Sequence, residues 1–212
     1  MGASKTRRTA QLSVKHMEKI NLVPKTILNI GVGSAPELPI WIKSYPEAAL
    51  VGVDIRGWRK WIKLSNPSQF VFSLIGNKES TGEGSFCWRC HSRKCTIPEH
   101  EEHKKPCKDT RTIDNIVSEN AENIIEPPYF MWIDIEGGEL DALKGSILTL
   151  PQTPLINIEM REFKWTNNNN CTQLHAFLTD HGYKLIDQTE EAKKANISNL
   201  EDKLYQRIDW KY

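Results

Sequence analysis

Two acidic residues stand at alternate positions directly after a strongly apolar segment. The segment runs from Tyr129 to Ile133, and it is followed by Asp134, Glu136, two glycines and a stretch with helical spacing. This order is typical of a buried strand that turns directly into a helix. Ligands in open α/β sheets bind at the carboxyl ends of the strands, and burying an unpaired carboxylate is costly. We therefore interpret Asp134 and Glu136 as candidate catalytic residues.

The neighbouring acids fall into two groups. Glu139 and Asp141 lie in the first turn of the predicted helix, where the helix dipole favours negative charge, and this explains them without a catalytic role. The apolar segment 153–160 is another predicted strand, and it carries Glu159 near its end. Glu159 is therefore a third candidate at the same edge of the sheet as Asp134.

A glycine loop near the N-terminus predicts a site for a nucleoside. An apolar strand pattern ends at Gly31 and Gly33, which allow a tight turn and a close approach of the backbone. The next apolar segment, 48–55, carries Asp54 roughly 20 residues beyond the glycines, where nucleoside-binding folds place the acid that binds ribose hydroxyls. We predict that these three residues form half of a nucleoside site.

The remaining apolar segments complete an α/β pattern. Residues 69–76 predict a third strand, whose end borders the base of the nucleoside in such folds, so Ser73 and Leu74 are candidate neighbours of the base. Residues 183–187 and 203–210 predict two closing strands in an antiparallel hairpin.

A cysteine-rich segment, residues 77–111, interrupts this pattern. It holds four of the five cysteines, and such clustering in a reducing compartment favours a metal over disulfides. A C-x2-C pair chelates one metal from a single turn, and two further thiolates complete a tetrahedral site. We predict a structural zinc ion, with reduced free cysteines or a redox pair as the alternative. The predicted ligands are Cys87, Cys90, Cys95 and Cys107, and His91, His100 or His103 could replace a thiolate.

Composition limits the class of protein. The chain has 212 residues, 26% of them charged, with a formal net charge of +1, which argues against disorder and against a strongly basic nucleic-acid binder. The basic residues of the insertion still leave contact with nucleic acid open. No apolar run reaches the roughly 18 residues of a membrane span, and no signal-peptide pattern is present, so we expect a cytoplasmic protein. We expect a mobile basic arm and a short helix over residues 1–25, and one domain over 26–212.

The central motif, together with the glycine loop and Asp54, resembles the FkbM-type family of S-adenosylmethionine-dependent methyltransferases. The run from Ile133 to Gly145, IDIEGGELDALKG, is similar to the family's Asp-x-Glu-Gly motif with its following Glu, Leu and Lys-Gly. The run Thr112-Ile113-Asp114 resembles the family's threonine-hydrophobic-aspartate element. The resemblance implies a Rossmann-like, seven-stranded, mostly parallel sheet with flanking helices. It also implies S-adenosylmethionine as methyl donor, and usually a hydroxyl oxygen as acceptor.

The resemblance also suggests roles for individual residues. Asn29 stands where methyltransferases commonly have an acid, and it can hydrogen-bond the methionine part of the cofactor. Asp134 is a further candidate contact to the cofactor. Asp134, Glu136 or Glu159 would remove the proton of the acceptor hydroxyl, or would hold a divalent cation that acidifies it.

The acceptor and two other classes of protein remain open at this point. Sugar hydroxyls, nucleotide riboses and small metabolites are all possible acceptors. A NAD-dependent oxidoreductase would share the glycine loop and Asp54, but it is not expected to carry the Asp-Ile-Glu-Gly run. A catalytically silent binding module, whose zinc insertion contacts nucleic acid or protein, is the other alternative.

Overall fold

The computed structural model describes residues 2–54, 68–76, 78–79, 85–87, 104–106, 109–120, 125–135, 137–160, 171–188, 190 and 202–210. Five α-helices and eleven strands lie in these ranges, with one short 3-10 helix over Leu150–Gln152. In chain order they are α1 (Gly2–Lys19), β1 (Thr26–Ile30), α2 (Leu38–Ser44), β2 (Ala49–Asp54), β3 (Ser68–Phe72), β4 (Leu74–Ile75), β5 (Ser85–Cys87), β6 (Lys104–Pro106), β7 (Thr110–Arg111), α3 (Ile113–Asn120), β8 (Tyr129–Ile133), α4 (Glu139–Lys144), β9 (Leu155–Glu159), α5 (Cys171–Asp180), β10 (Tyr183–Ile186) and β11 (Asp202–Arg207).

The main sheet has the strand order β10-β11-β9-β8-β1-β2-β3. Strands β3, β2, β1, β8 and β9 pair in parallel. Strand β11 runs antiparallel between β9 and β10, so the predicted closing hairpin is present and its second strand is the inner one. The prediction of a mixed α/β fold with a mostly parallel sheet and flanking helices is confirmed.

Apolar side chains cover both faces of the sheet. On one face, residues such as Val51, Met131 and Ile156 pack with Leu143 of α4 and Leu178 of α5. Because the other face is buried as well, the central strands are mostly apolar along their length instead of alternating between apolar and polar residues. This is why their sequences predict strands so clearly.

Helix α2 packs on the second face through an aromatic cluster. The ring of Trp41 meets the rings of Phe130 and Trp132 edge-on, with centroids 6.0 Å and 5.4 Å away. All three side chains are buried in the core that α1 and α2 cover. The cluster therefore fixes α2 against β8, the strand that leads into the candidate site.

The N-terminal region differs from its prediction. The sequence predicts a mobile basic arm followed by a short helix, but the predicted arm is helical too, since residues 2–19 form the single helix α1. Ala10, Val14 and Met17 recur at helical spacing and are buried against the sheet. Near the start of the helix, the Nε of Arg7 donates to the carbonyl oxygen of Pro36 at 3.1 Å. The helix thus covers one face of the sheet and reaches the turn before α2.

The region predicted as a third strand contains two strands. Strand β3 ends at Phe72, and the chain then leaves the main sheet, so that Leu74 and Ile75 pair in parallel with Thr110 and Arg111 of β7. Strands β5 and β6 form a separate antiparallel pair within the predicted insertion. Among the described residues, no helix is both long and apolar enough to cross a bilayer.

Candidate functional site

The glycine loop lies at the carboxyl end of β1 and is tied to β2. Gly31 and Gly33 have φ values of +90° and +50°, in the region that favours glycine. The backbone N–H groups of the loop donate within the fold: Gly31 to Val53 O at 2.8 Å, Val32 to Val53 O at 3.4 Å, Gly33 to Asp54 Oδ2 at 2.8 Å and Ala35 to Val32 O at 2.8 Å. The buried carboxylate of Asp54 therefore fixes the loop directly.

Gly31 brings this loop against the one that follows β8. A Cβ atom on Gly31 would lie 1.8 Å from the carbonyl oxygen of Asp134, so no other residue fits without a shift of the backbone. The N–H of Asp134 donates to the carbonyl oxygen of Ile30 at 2.9 Å. The structure therefore brings Asp134, Gly31, Gly33 and Asp54 to one edge of the sheet.

Ser73 adjoins Asp54 at the same edge. Its N–H donates to the carbonyl oxygen of Asp54 at 3.2 Å, and its Oγ donates to the carbonyl oxygen of Asp109 at 2.6 Å. The buried hydroxyl thus links the end of β3 to the segment before β7. The backbone of Leu74 continues from it into β4.

Two further acids extend this edge beyond Asp134. Ile133 pairs with Ile158 across β8 and β9, so Asp134 and Glu159 occupy neighbouring positions in the next row. Glu159 in turn pairs with Asp202 across β9 and β11, and each is only 8% exposed. Sequence reasoning did not identify Asp202. Because β11 runs antiparallel to β9, the first residue of β11 lies beside the last residue of β9. The sequence alone does not show that these two strands are neighbours.

Asn29 is buried beneath the edge and contacts another side chain of the chain itself. Its Nδ2 donates to Oε1 of Glu37 at 2.8 Å, which joins β1 to the start of α2. The pKa of Glu37 is raised to about 7, chiefly by burial and also by the negative charge of Asp202, although hydrogen bonds from the backbone and Asn29 act in the opposite direction. The described contact of Asn29 is structural, and its contact with a cofactor stays a prediction.

Glu139 holds the loop that follows β8. Its side chain is fully buried. Its Oε1 accepts hydrogen bonds from the N–H groups of Ile135 at 3.2 Å and Gly137 at 3.1 Å, and its Oε2 accepts from Gly137 at 3.1 Å. The helix-dipole interpretation of Glu139 is therefore incomplete. The sequence feature that could have indicated this role is a carboxylate directly after two glycines, because the N–H groups of such a loop have no strand partners and need another acceptor.

The threonine-hydrophobic-aspartate element joins α3 to the turn after α4. The Oγ1 of Thr112 accepts from the N–H of Asn115 at 3.1 Å and so caps α3. The carboxylate of Asp114 accepts from the N–H of Leu148 at 3.0 Å, and from the N–H and hydroxyl of Thr149 at 2.8 Å and 2.7 Å. These contacts position the elements behind the site instead of forming part of it.

Several predicted site residues lie outside the described part of the chain. They are Glu136, Cys90, Cys95 and Cys107, and only the backbone of Cys87 is described, where β5 pairs it with Lys104 of β6. Within the described ranges, no group of three or more histidine, cysteine, aspartate or glutamate side chains could hold a metal ion. The described carboxylates therefore give no support to a divalent cation, and the zinc site remains a prediction.

One cavity among the described residues lies away from this edge. It has a volume of about 440 Å³ and lies where β1 and β2 begin, lined by residues that include Lys25, Tyr45, Glu47 and Glu126. An exposed ion pair of 2.8 Å joins Lys25 to Glu126 there. The cavity is thus at the opposite ends of the strands from Asp54 and Asp134.

Comparison with known proteins gives one match to a family and several similar structures. The profile of the methyltransferase FkbM domain matches residues 59–185, which contain the central motif but not the glycine loop. The plantazolicin methyltransferase BpumL, in complex with a pentazolic desmethylPZN analog and SAH, is 12% identical, with 98% of this chain and 86% of that chain covered and a TM-score of 0.47. BamL, in complex with a triazolic analog and SAH, is 11% identical, with 96% and 84% covered and a TM-score of 0.45. No curated protein matches the sequence.

Proposed function

Because the chain belongs to the FkbM family of methyltransferases, we propose that it transfers a methyl group from S-adenosylmethionine to a hydroxyl oxygen. The proposed acceptors are a sugar, a nucleotide ribose or another small metabolite. Membership of the family supports methyl transfer, and the arrangement of polar groups at the carboxyl edge of the sheet supports the choice of donor. Contact with nucleic acid through the basic insertion has no support among the described residues, and the proposal leaves it out.

The hydrogen bonds of the glycine loop support S-adenosylmethionine as the bound cofactor over a nicotinamide dinucleotide. The pyrophosphate of a dinucleotide binds free N–H groups at such a loop. Here Gly31, Val32 and Gly33 donate their N–H groups to Val53 and Asp54 instead. The same edge carries carboxylates, which disfavour a pyrophosphate but suit hydroxyls and cationic groups. The loop therefore favours S-adenosylmethionine, with its ribose, ammonium and sulfonium groups, over a nicotinamide dinucleotide.

The residues at the edge fit this cofactor in kind. Asp54 would accept hydrogen bonds from the ribose hydroxyls. The contact between Gly33 and Oδ2 of Asp54 holds this carboxylate beside the glycine loop, where the ribose would lie. Ser73 and Leu74 would border the base. S-adenosylmethionine, when bound, supplies an electrophilic methyl group on a sulfonium. Asp134 adjoins Gly31 and would lie beside the methionine end of the cofactor.

The carboxylates beyond the cofactor would act on the acceptor. Asp134 and Glu159 occupy neighbouring positions just beyond paired residues of β8 and β9, so either could take the proton of the acceptor hydroxyl, as could Glu136, which follows in sequence. Holding the hydroxyl in line with the methyl group would supply much of the remaining acceleration. The acid pair of Glu159 and Asp202 borders this position.

A titration with S-adenosylhomocysteine tests the proposal. We expect saturable heat of binding for the parent protein, and no binding of NAD. The Asp54→Asn variant keeps the shape of the side chain but loses its charge, and we expect its dissociation constant to rise roughly tenfold or more. Glu47→Gln, at an exposed position remote from the edge, is the control and should bind like the parent.

Either of two results would contradict the proposal. One is a folded parent protein that shows no heat of binding with S-adenosylhomocysteine. The other is an Asp54→Asn variant that binds as tightly as the parent, which would remove Asp54 from the site.

A further inference from the structure

We infer that Glu139 is a positioning residue for the cofactor site, because it fixes the loop from which Asp134 projects. The inference rests on the proposed function, since it concerns the same edge of the sheet. It assigns to Glu139 a role in ligand binding that neither its place at a helix start nor the match to the family gives it.

The carboxylate of Glu139 contacts the loop through both of its oxygens. Oε1 of Glu139 accepts from the N–H groups of Ile135 and Gly137, and Oε2 accepts from that of Gly137 as well, at 3.1 to 3.2 Å. The side chain is fully buried, so water does not compete for these contacts. Hydrogen bonds to a charged acceptor are stronger than neutral ones, especially away from water. The carboxylate therefore fixes the backbone at Ile135 and at Gly137.

The two glycines before Glu139 shape the turn that it binds. Gly137 has a φ of +114°, which only glycine adopts readily, and this places its N–H on the same carboxylate as that of Ile135. A Cβ atom on Gly138 would lie 2.9 Å from Cδ1 of Ile135, so the turn is closely packed. The two glycines of the central motif thus allow the tight turn, and Glu139 satisfies its N–H groups.

The loop after β8 also contacts the glycine loop that follows β1. Asp134 is held on one side by the hydrogen bond from its N–H to Ile30. On the other side it is followed directly by Ile135, whose N–H Glu139 binds. The carbonyl oxygen of Asp134 lies against Gly31 with no room for a side chain. A shift of the loop would therefore move Asp134 and disturb its contact with Gly31.

Asp141 provides a matched control, because it shares the first turn of α4 and carries the same charge. If Glu139 acted only through the helix dipole, neutralising either acid would have a similar, small effect. If Glu139 acts through its contacts to the loop, only its own replacement should weaken ligand binding. The comparison separates these two explanations within one helix.

The experiment combines calorimetric titration with S-adenosylhomocysteine and hydrogen exchange of individual backbone amides. Glu139→Gln keeps one acceptor oxygen, and we expect its dissociation constant to rise roughly tenfold, because a charge-assisted contact is lost. Glu139→Ala removes both oxygens and should weaken binding further. The amides of Ile135 and Gly137 should exchange faster in both variants, while those of the central strands keep their protection. Asp141→Asn should match the parent in both measurements.

The outcomes distinguish this inference from the proposed function. A parent protein that does not bind the ligand overturns the proposed function, and the positioning role falls with it. A parent that binds, together with a folded Glu139→Gln variant that binds equally well, overturns only the positioning role. If the alanine variant does not fold, the glutamine variant and the exchange of the two amides still decide the question.

Discussion

Gly31 belongs to the glycine loop after β1 and packs against the loop that follows β8. Its φ of +90° and its distance to the carbonyl oxygen of Asp134 both require glycine. Gly182 separates these two requirements, because it has a similar φ of +81° but no atom within 4 Å of the position of a Cβ. A comparison of the two glycines therefore measures what the contact between the loops contributes.

We expect Gly182→Ala to lower the free energy of unfolding by about 1 to 2 kcal/mol, which is the cost of the left-handed backbone alone. Gly31→Ala should lower it by about 3 kcal/mol or more, because the methyl group also collides with the carbonyl of Asp134. Urea denaturation of both variants and the parent measures this difference. Equal losses in the two variants would show that the loops separate at little cost.

Some site residues can be predicted from the sequence, because their positions follow from strand order alone. The carboxyl ends of parallel strands meet at one edge, so Gly31, Asp54 and Asp134 come together wherever their strands are neighbours. Glu139 and Asn29 depend on something less local, namely which group each side chain reaches after packing. Glu139 binds loop N–H groups two and four residues before it, and Asn29 binds Glu37, which belongs to the next helix.

Helix α1 is an element whose role the sequence obscures. Its basic residues and its place at the start of the chain predict a solvated arm, whereas its apolar stripe is interrupted by polar residues. Ser13, one of these, is buried and its Oγ accepts a hydrogen bond from the Nδ2 of Asn157 on β9 at 3.1 Å. Part of the buried face of α1 is therefore formed by polar side chains that hydrogen-bond to the sheet. A count of apolar residues alone underestimates how much of the helix is buried.

Helix α1 should therefore contribute directly to stability. Met17 is fully buried, so Met17→Ala should lower the free energy of unfolding by about 2 to 5 kcal/mol. Lys15 is exposed on the same helix, and Lys15→Ala should change stability by less than about 0.5 kcal/mol. Chemical denaturation of the two variants checks this. A Met17→Ala variant as stable as the parent would mean that the helix does not pack on the sheet in solution.

The order of the strands is predicted only in part. Apolar runs identify the central strands, and the polar closing hairpin is recognised by its pattern. The insertion of β11 between β9 and β10 is not visible in the sequence, because either strand of a hairpin can form the inner pair. The sequence does not show either that β4 leaves the main sheet and pairs with β7. This pairing is accompanied by close packing of Gly76 on Gly145, where a Cβ on Gly145 would lie 2.2 Å from the carbonyl oxygen of Gly76.

At the scale of the whole molecule, the buried Glu37 makes stability depend on pH. Burial raises its pKa from 4.5 to about 7 in the folded protein. A carboxyl group with a raised pKa binds its proton more tightly when folded, so its contribution is fully present below about pH 4.5. That contribution falls as the pH rises and is lost once the pH passes about 7, because the unfolded state releases its proton from about pH 4.5 while the folded state keeps its proton up to about pH 7.

Glu37→Gln should remove this dependence and keep a hydrogen bond to Asn29. We expect the variant to be more stable than the parent at about pH 8, by an amount on the order of 3 kcal/mol, and similar to it at about pH 4. Urea denaturation across this range measures the effect, with the exposed Glu47→Gln as control. Parallel stability curves for the parent and Glu37→Gln would show that Glu37 is not the responsible group.

The position of β11 affects the order in which the protein is made and folded. Strand β11 comes last among the described strands, yet it lies inside the sheet and pairs with β9 on one side and β10 on the other. During synthesis on the ribosome, the edge of β9 that faces away from β8 therefore stays unpaired until β11 emerges. Until then β10 has no partner in the main sheet either. Such long-range pairing slows folding and leaves strand edges open to other chains. The same late strand brings Asp202 to Glu159, so the acidic edge is completed only when the sheet itself is complete.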